Sequence, residues 1–139
     1  MTINTKTMKR IFLFLATAVL AFSCTGRKAT ETDSAYPADA TVYELNVRQM
    51  TPEGTFAAAS EHLASIKDLG VDIVWVMPPY PIGEKGRKGS LGSYYAVRDY
   101  CDVNPEFGTL QDFDAFLDKA HSLGLKVILD WVANHTAPD

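Results

Sequence analysis

The heptapeptide Val71-Asp72-Ile73-Val74-Trp75-Val76-Met77 is apolar at every position but one, and Pro78-Pro79 ends it. A short run of β-branched and aromatic residues bounded by turn formers predicts a strand. Apolar side chains at both parities mean that both faces are covered, as in the strands of parallel sheets. On the N-terminal side, Gly70 stands where a helix C-terminus favours a left-handed residue. Before it, Phe56, Ala59, Leu63 and Ile66 share one helical face behind Thr55 as N-cap. Earlier still, Thr41-Val42-Tyr43-Glu44-Leu45-Asn46-Val47 has the composition of a strand. The same grammar repeats on the C-terminal side. Thr109 precedes Leu110-Gln111-Asp112, a cap with an acidic first turn. Phe113, Phe116, Leu117, Ala120 and Leu123 form an apolar face, Gly124 ends it, and residues 125–132 (LKVILDWV) make a third strand. The order β-α-β-α-β predicts an α/β fold with a parallel sheet and right-handed crossovers.

One connection is out of proportion. Residues 78–108 lack clean periodicity and are rich in Gly, Pro, Tyr and charge. Loops longer than about 12–15 residues in compact domains are usually functional or disordered. Tyr80, Tyr94, Tyr95, Tyr100 and Phe107 argue against disorder, so this loop is expected to form one wall of a site. It follows the C-terminal end of a parallel strand, where α/β folds place their sites. Cys101, within it, is expected to be a small buried apolar residue.

The N-terminus reads differently. Lys6, Lys9 and Arg10 precede an apolar run of about a dozen residues from Ile11 to Phe22, followed by Ser23 and Cys24. That is the layout of a secretory signal, and the run falls short of the roughly 20 residues a membrane-spanning helix needs. Leu20-Ala21-Phe22-Ser23-Cys24 resembles a bacterial lipobox, although its leucine lies four residues before the cysteine instead of three. The expected organisation is a lipoprotein-type signal peptide over 1–23, a polar tether over 24–40 and the folded domain over 41–139. Cys24 would carry the lipid and place the protein in the bacterial cell envelope, on the membrane. Simple secretion and a retained anchor are the alternatives. The chain carries 13 basic and 17 acidic residues, for a net charge of −4. Removing the leader cations makes it more acidic, which argues against nucleic acid as a partner.

The most specific segment is Asp130-Trp131-Val132-Ala133-Asn134-His135-Thr136, which turns from apolar to polar at the end of the third strand. It resembles the first signature region of the α-amylase family, glycoside hydrolase family 13. Val71 to Pro78 is similar to that family's second barrel strand. Tyr95-Ala96-Val97-Arg98-Asp99-Tyr100 and Asn104-Pro105-Glu106-Phe107-Gly108-Thr109 are similar to the loop before its second helix. The resemblance runs from about Val42 to the last residue, in order and spacing. It implies the first three strands and two helices of a (β/α)₈ TIM barrel, truncated after strand 3, and an α-glucan or maltooligosaccharide as substrate. It further implies that His135 hydrogen-bonds the glucose just before the scissile bond and that Tyr95 stacks on the same sugar, with Tyr94 as the neighbouring alternative. Asp130 and Asp99 match supporting positions, and Asn134 matches a carbonyl ligand of a structural calcium.

Retaining glycosidases need two carboxyl groups about 5–5.5 Å apart. In the resembled family these come from later strands, and no acid here matches a catalytic position. The chain is therefore expected to be part of a starch-hydrolysing enzyme and inactive alone. A non-catalytic amylase-like barrel and a glucan transferase or branching member are the rivals. A doubly wound nucleotide-binding domain would need a Gly-rich turn after the first strand, which Thr51-Pro52-Glu53-Gly54 does not supply.

Overall fold

The computed structural model describes Tyr36 and residues 39–139. The proposed leader, Cys24 and nearly all of the tether lie outside the described residues, which from 39 onward belong to one unit. Three strands, β1 (Val42–Leu45), β2 (Ile73–Val76) and β3 (Lys126–Leu129), form a sheet in the order β1-β2-β3. Both pairings are parallel, with Val42 opposite Ile73 and Ile73 opposite Lys126. Backbone bonds from Met77 to Leu45 and from Asp130 to Val76, each 3.0 Å, carry the ladder one residue past the strand ends.

The strands are shorter than the apolar runs that announced them. Val47 opens a short helix, α1 (Val47–Met50), instead of ending β1. The first helical pattern is realised as two helices in series, α2 (Phe56–Ser60) and α3 (Leu63–Asp68). Ser60 explains the break locally. Its hydroxyl donates to the Phe56 carbonyl at 2.9 Å, a back-bond that loosens helices. Glu61 and His62 then donate to carbonyls three residues back, at 3.2 and 3.0 Å, which tightens the turn. Thr55 caps α2 by accepting from the Ala58 amide at 3.2 Å. The longest helix, α4 (Leu110–Ser122), starts with a full capping box, in which Thr109 accepts from the Asp112 amide and Asp112 accepts from the Thr109 amide. Gly70 and Gly124 adopt φ of 84° and 72°, the left-handed conformation expected at those helix ends.

One face of the sheet is covered. Leu45, Val74 and Val76 lie at most 1% exposed among Phe56, Leu63, Phe116 and Ala120. Phe56 is the hub, its ring centroid 5.2 Å from Phe113, 5.3 Å from Phe116 and 6.3 Å from Phe107. It therefore ties α2, α4 and the long loop together. Burial of one such ring stabilises by about 1.5–3 kcal/mol. The other parity of the strands is more open, although Ile73 on it is buried, and Leu129 at the edge of the covered parity is 38% exposed. Val42 is 49% exposed and Ile128 36%, and Glu44 and Lys126 are exposed beside them.

Cys101 departs from expectation, because its side chain is exposed. The Asp99 carboxylate accepts from the Cys101 amide at 2.8 Å, fixing a tight turn. That turn sends Tyr100 and Val103 inward and leaves positions 101 and 102 at the surface.

Candidate functional site

The long loop folds back on itself instead of hanging free. Ile82 and Val97 form an isolated antiparallel bridge. Gly83 donates to the Ala96 carbonyl at 2.9 Å, Arg98 to Pro81 at 2.8 Å and Asn104 to Pro79 at 2.8 Å. The Arg87 guanidinium closes the tip by donating to the carbonyls of Gly83 and Ile82, both at 2.9 Å. Tyr80, Ile82, Val97, Val103 and Phe107 are buried beneath it. The loop is thus a packed wall, as its aromatic content suggested.

Beyond β3 the chain crosses this wall. Ala137 donates to the Val97 carbonyl at 2.8 Å. Gly83 makes the crossing possible, since a Cβ there would lie 2.3 Å from that of Ala137. Between the two segments lies a cavity of about 490 Å³, within the usual range of ligand pockets, roughly 300–1,000 Å³. Tyr95, Ser93, Lys85 and Arg87 line it from the loop, and His135 and Thr136 from the segment after β3.

Two of the residues singled out from sequence, Tyr95 and His135, therefore share one cavity. Tyr95 is 37% exposed, and its hydroxyl donates to Asp130 Oδ2 at 3.1 Å. Desolvation, then the bond to Asp130, then the charges of Asp130 and Glu44 raise the phenol above its ordinary pKa of 10.0. It stays protonated and donating at neutral pH. Asp130 has the parity of Ile128, on the open face of the sheet. Tyr94 goes the other way. It packs against the core, with the Arg48 guanidinium 4.5 Å from its ring centroid.

Asn134 Nδ2 lies 3.1 Å from His135 Nδ1. With the amide donating, Nδ1 accepts and the proton of the neutral ring sits on Nε2. His135 then keeps an N–H with which to donate to a ligand hydroxyl. Calcium takes six to eight oxygen ligands. Among the described residues no group of three or more Asp, Glu, His or Cys side chains is placed to hold a metal. A calcium on the Asn134 carbonyl would therefore need further oxygen donors of other kinds. Asp99 is exposed and does not line the cavity; it holds the turn at Cys101. Sequence reasoning missed Gly83, Lys85 and Arg87 as wall residues, and counted Tyr100 only as one aromatic among several. The dense Gly and Lys/Arg of residues 83–89 were the available signal for the first group.

The match to known proteins covers the same ground. The family model described as alpha amylase, catalytic domain, matches residues 22–139. A trehalose synthase of Pimelobacter sp. (strain R48) is 40% identical over 105 residues, covering 70% of this chain and 17% of that protein. A probable oligo-1,6-glucosidase 3 of Bacillus subtilis (strain 168) is 34% identical over 108 residues, covering 73% of this chain and 18% of that protein. The crystal structure of an alpha-amylase from Lactobacillus plantarum superposes with a TM-score of 0.71 at 54% identity, covering 72% of this chain and 24% of that one. The chain spans less than a fifth of the length of these two curated relatives.

Proposed function

The chain belongs to the α-amylase catalytic-domain family, and from that membership we propose that it supplies strands 1–3 of a retaining enzyme cleaving α-glucosidic bonds in starch-like α-glucans. The observation that carries this reading is the meeting of Tyr95 and His135 at one cavity, with Asp130 bonded to Tyr95, beyond the C-terminal ends of parallel strands. Active sites of (β/α)₈ enzymes lie at that end.

Each residue has a stated part in the proposed chemistry. The Tyr95 ring presents an apolar face to a pyranose, and its bond to Asp130 fixes the ring's tilt. His135 donates from Nε2 to a sugar hydroxyl. Such contacts strengthen as the sugar approaches its oxocarbenium-like transition state. The nucleophile and the acid/base are not among these residues, and we place them in later strands of a longer polypeptide. The test is hydrolysis of a maltooligosaccharide by this chain and by a polypeptide extended with the downstream coding sequence. Activity confined to the longer polypeptide is expected, together with a Gly-x-Arg-x-Asp sequence in the added part. Activity of the 139 residues alone, or none from the longer polypeptide, would overturn the reading.

The similarity to a protein named trehalose synthase favours a second reading, glucosyl transfer in place of hydrolysis. Product analysis separates the two, since transfer yields new glycosides and hydrolysis yields reducing sugar alone. From the leader sequence alone we further propose attachment to the cell envelope through a lipid on Cys24. Cys24→Ala should shift the protein out of the membrane fraction or leave the leader uncut; an unchanged membrane fraction would point to a retained anchor.

A further inference from the structure

The segment after β3 has no ladder to hold it. Asp130 is tied to Val76 and Ala137 to Val97, which leaves residues 131–136 spanning the gap without regular structure. The Tyr100 side chain, from outside the segment, hydrogen-bonds that span. The Tyr100 hydroxyl donates to the Val132 carbonyl and lies 3.2 Å from the carbonyl of His135. A phenol has one proton, so the two carbonyls share it. They are drawn to one point, and the turn carrying Asn134 and His135 closes around that point.

The clamp is itself held. The Tyr100 ring lies 5.3 Å from that of Tyr80, in a small core with Val97 and Val132. Its backbone direction is set by the Asp99 turn. Tyr100 does not line the cavity, and its hydroxyl reaches the backbone of His135, not its ring. Resting on the proposed sugar-binding role of His135, we propose that Tyr100 is the positioning residue that sets where the His135 ring stands in the cavity. The same geometry gives Asp99 an indirect part, since its turn presents Tyr100.

Tyr100→Phe keeps the ring and its contact with Tyr80 and removes only the hydroxyl. A double-mutant cycle with His135→Ala tests the proposal in the extended polypeptide on a maltooligosaccharide. If Tyr100 acts through His135, Tyr100→Phe should lower kcat up to about tenfold and raise KM, the same pattern as His135→Ala. In the His135→Ala background the same substitution should cost less than about twofold, because the group it positions is already gone. An equal loss in both backgrounds would reduce Tyr100 to general structural support and overturn the proposal, as would no loss in the first.

A readout without turnover keeps the functional reading separate. The chain contains three histidines, His62, His121 and His135. In the NMR spectrum of the chain, Tyr100→Phe should shift the ring signals of His135 and leave those of His62 and His121 in place. An unmoved His135 signal would overturn the proposal. An inactive extended wild type would instead remove the glycosidase reading while leaving the positioning claim to this spectrum.

Discussion

The two faces of the three-stranded sheet have opposite fates. Toward α2, α3 and α4, Leu45, Val74 and Val76 are sealed under phenylalanines and leucines. On the other parity, Val42 and Ile128 are apolar yet open, Glu44 and Lys126 are exposed and Trp75 is partly covered, with Ile73 of the middle strand the buried exception. Along the middle strand the two faces carry the same kind of residue, so composition does not distinguish them. What differs is whether a helix from this chain reaches them. The open face is the one that leads, through Asp130, to the candidate site. Its residues fit a surface that further strands would line, as the proposed longer enzyme requires.

The contrast can be broken most forcefully at Phe56. Its ring touches three others, and Phe→Ala in a packed core costs about 3–5 kcal/mol. Urea unfolding of Phe56→Ala should show a loss of that size; a loss under about 1 kcal/mol would mean that the covered face is not the core. Thr109→Ala, which removes the cap of α4, should cost about 1 kcal/mol by the same measurement. The capping box also has a pH signature. Bonds from the Thr109 hydroxyl first, and then its backbone amide, hold the Asp112 carboxyl below its ordinary 3.8. A lowered carboxyl contributes stability above its unfolded pKa, and that contribution fades as pH falls through the folded value. Asp112→Asn should therefore lower the thermal midpoint at neutral pH and matter progressively less below about pH 4. The smallest effect is expected on the open face. Ile128→Ala should change the stability of this chain by less than about 0.5 kcal/mol. In the extended polypeptide the cost should rise to about 2–5 kcal/mol if further strands bury Ile128.

Much of this was legible in the residues. Thr55, Thr109, Gly70 and Gly124 marked the helix ends, and the apolar runs marked all three strands, because capping and burial on both faces leave strong local signals. The ends of β1 and β3 were not legible. Val47 suits a strand in composition, but α1 begins there, and Trp131 and Val132 leave the ladder despite their apolar character. Those outcomes depend on where neighbouring strands stop. Cys101 was misjudged for a related reason. Its exposure follows from a side-chain-to-backbone bond by Asp99, a contact that amino-acid type alone does not announce. In the site, Tyr95 and His135 were named from their resemblance to a known pattern. The resemblance already favoured Tyr95 over Tyr94, and the packing agrees with that reading, since Arg48 covers the Tyr94 ring while Tyr95 opens to the cavity. The Tyr100 clamp joins residues 32 and 35 positions apart, a relation with no local signature.

The central claim is that Tyr95 and His135 hold one sugar in the cavity beside Asp130. Steady-state kinetics of His135→Ala, Tyr95→Ala and Tyr94→Ala in the extended polypeptide, on one maltooligosaccharide, test it directly. A lost hydrogen bond of this kind costs roughly 1.5–3 kcal/mol, so His135→Ala should lower kcat/KM about ten- to a hundredfold, with a fall in kcat as well as a rise in KM. Tyr95→Ala should show a similar or smaller loss, and Tyr94→Ala a milder one at a temperature where the fold is intact. An unchanged kcat for His135→Ala, or a greater loss from Tyr94→Ala than from Tyr95→Ala, would contradict the account.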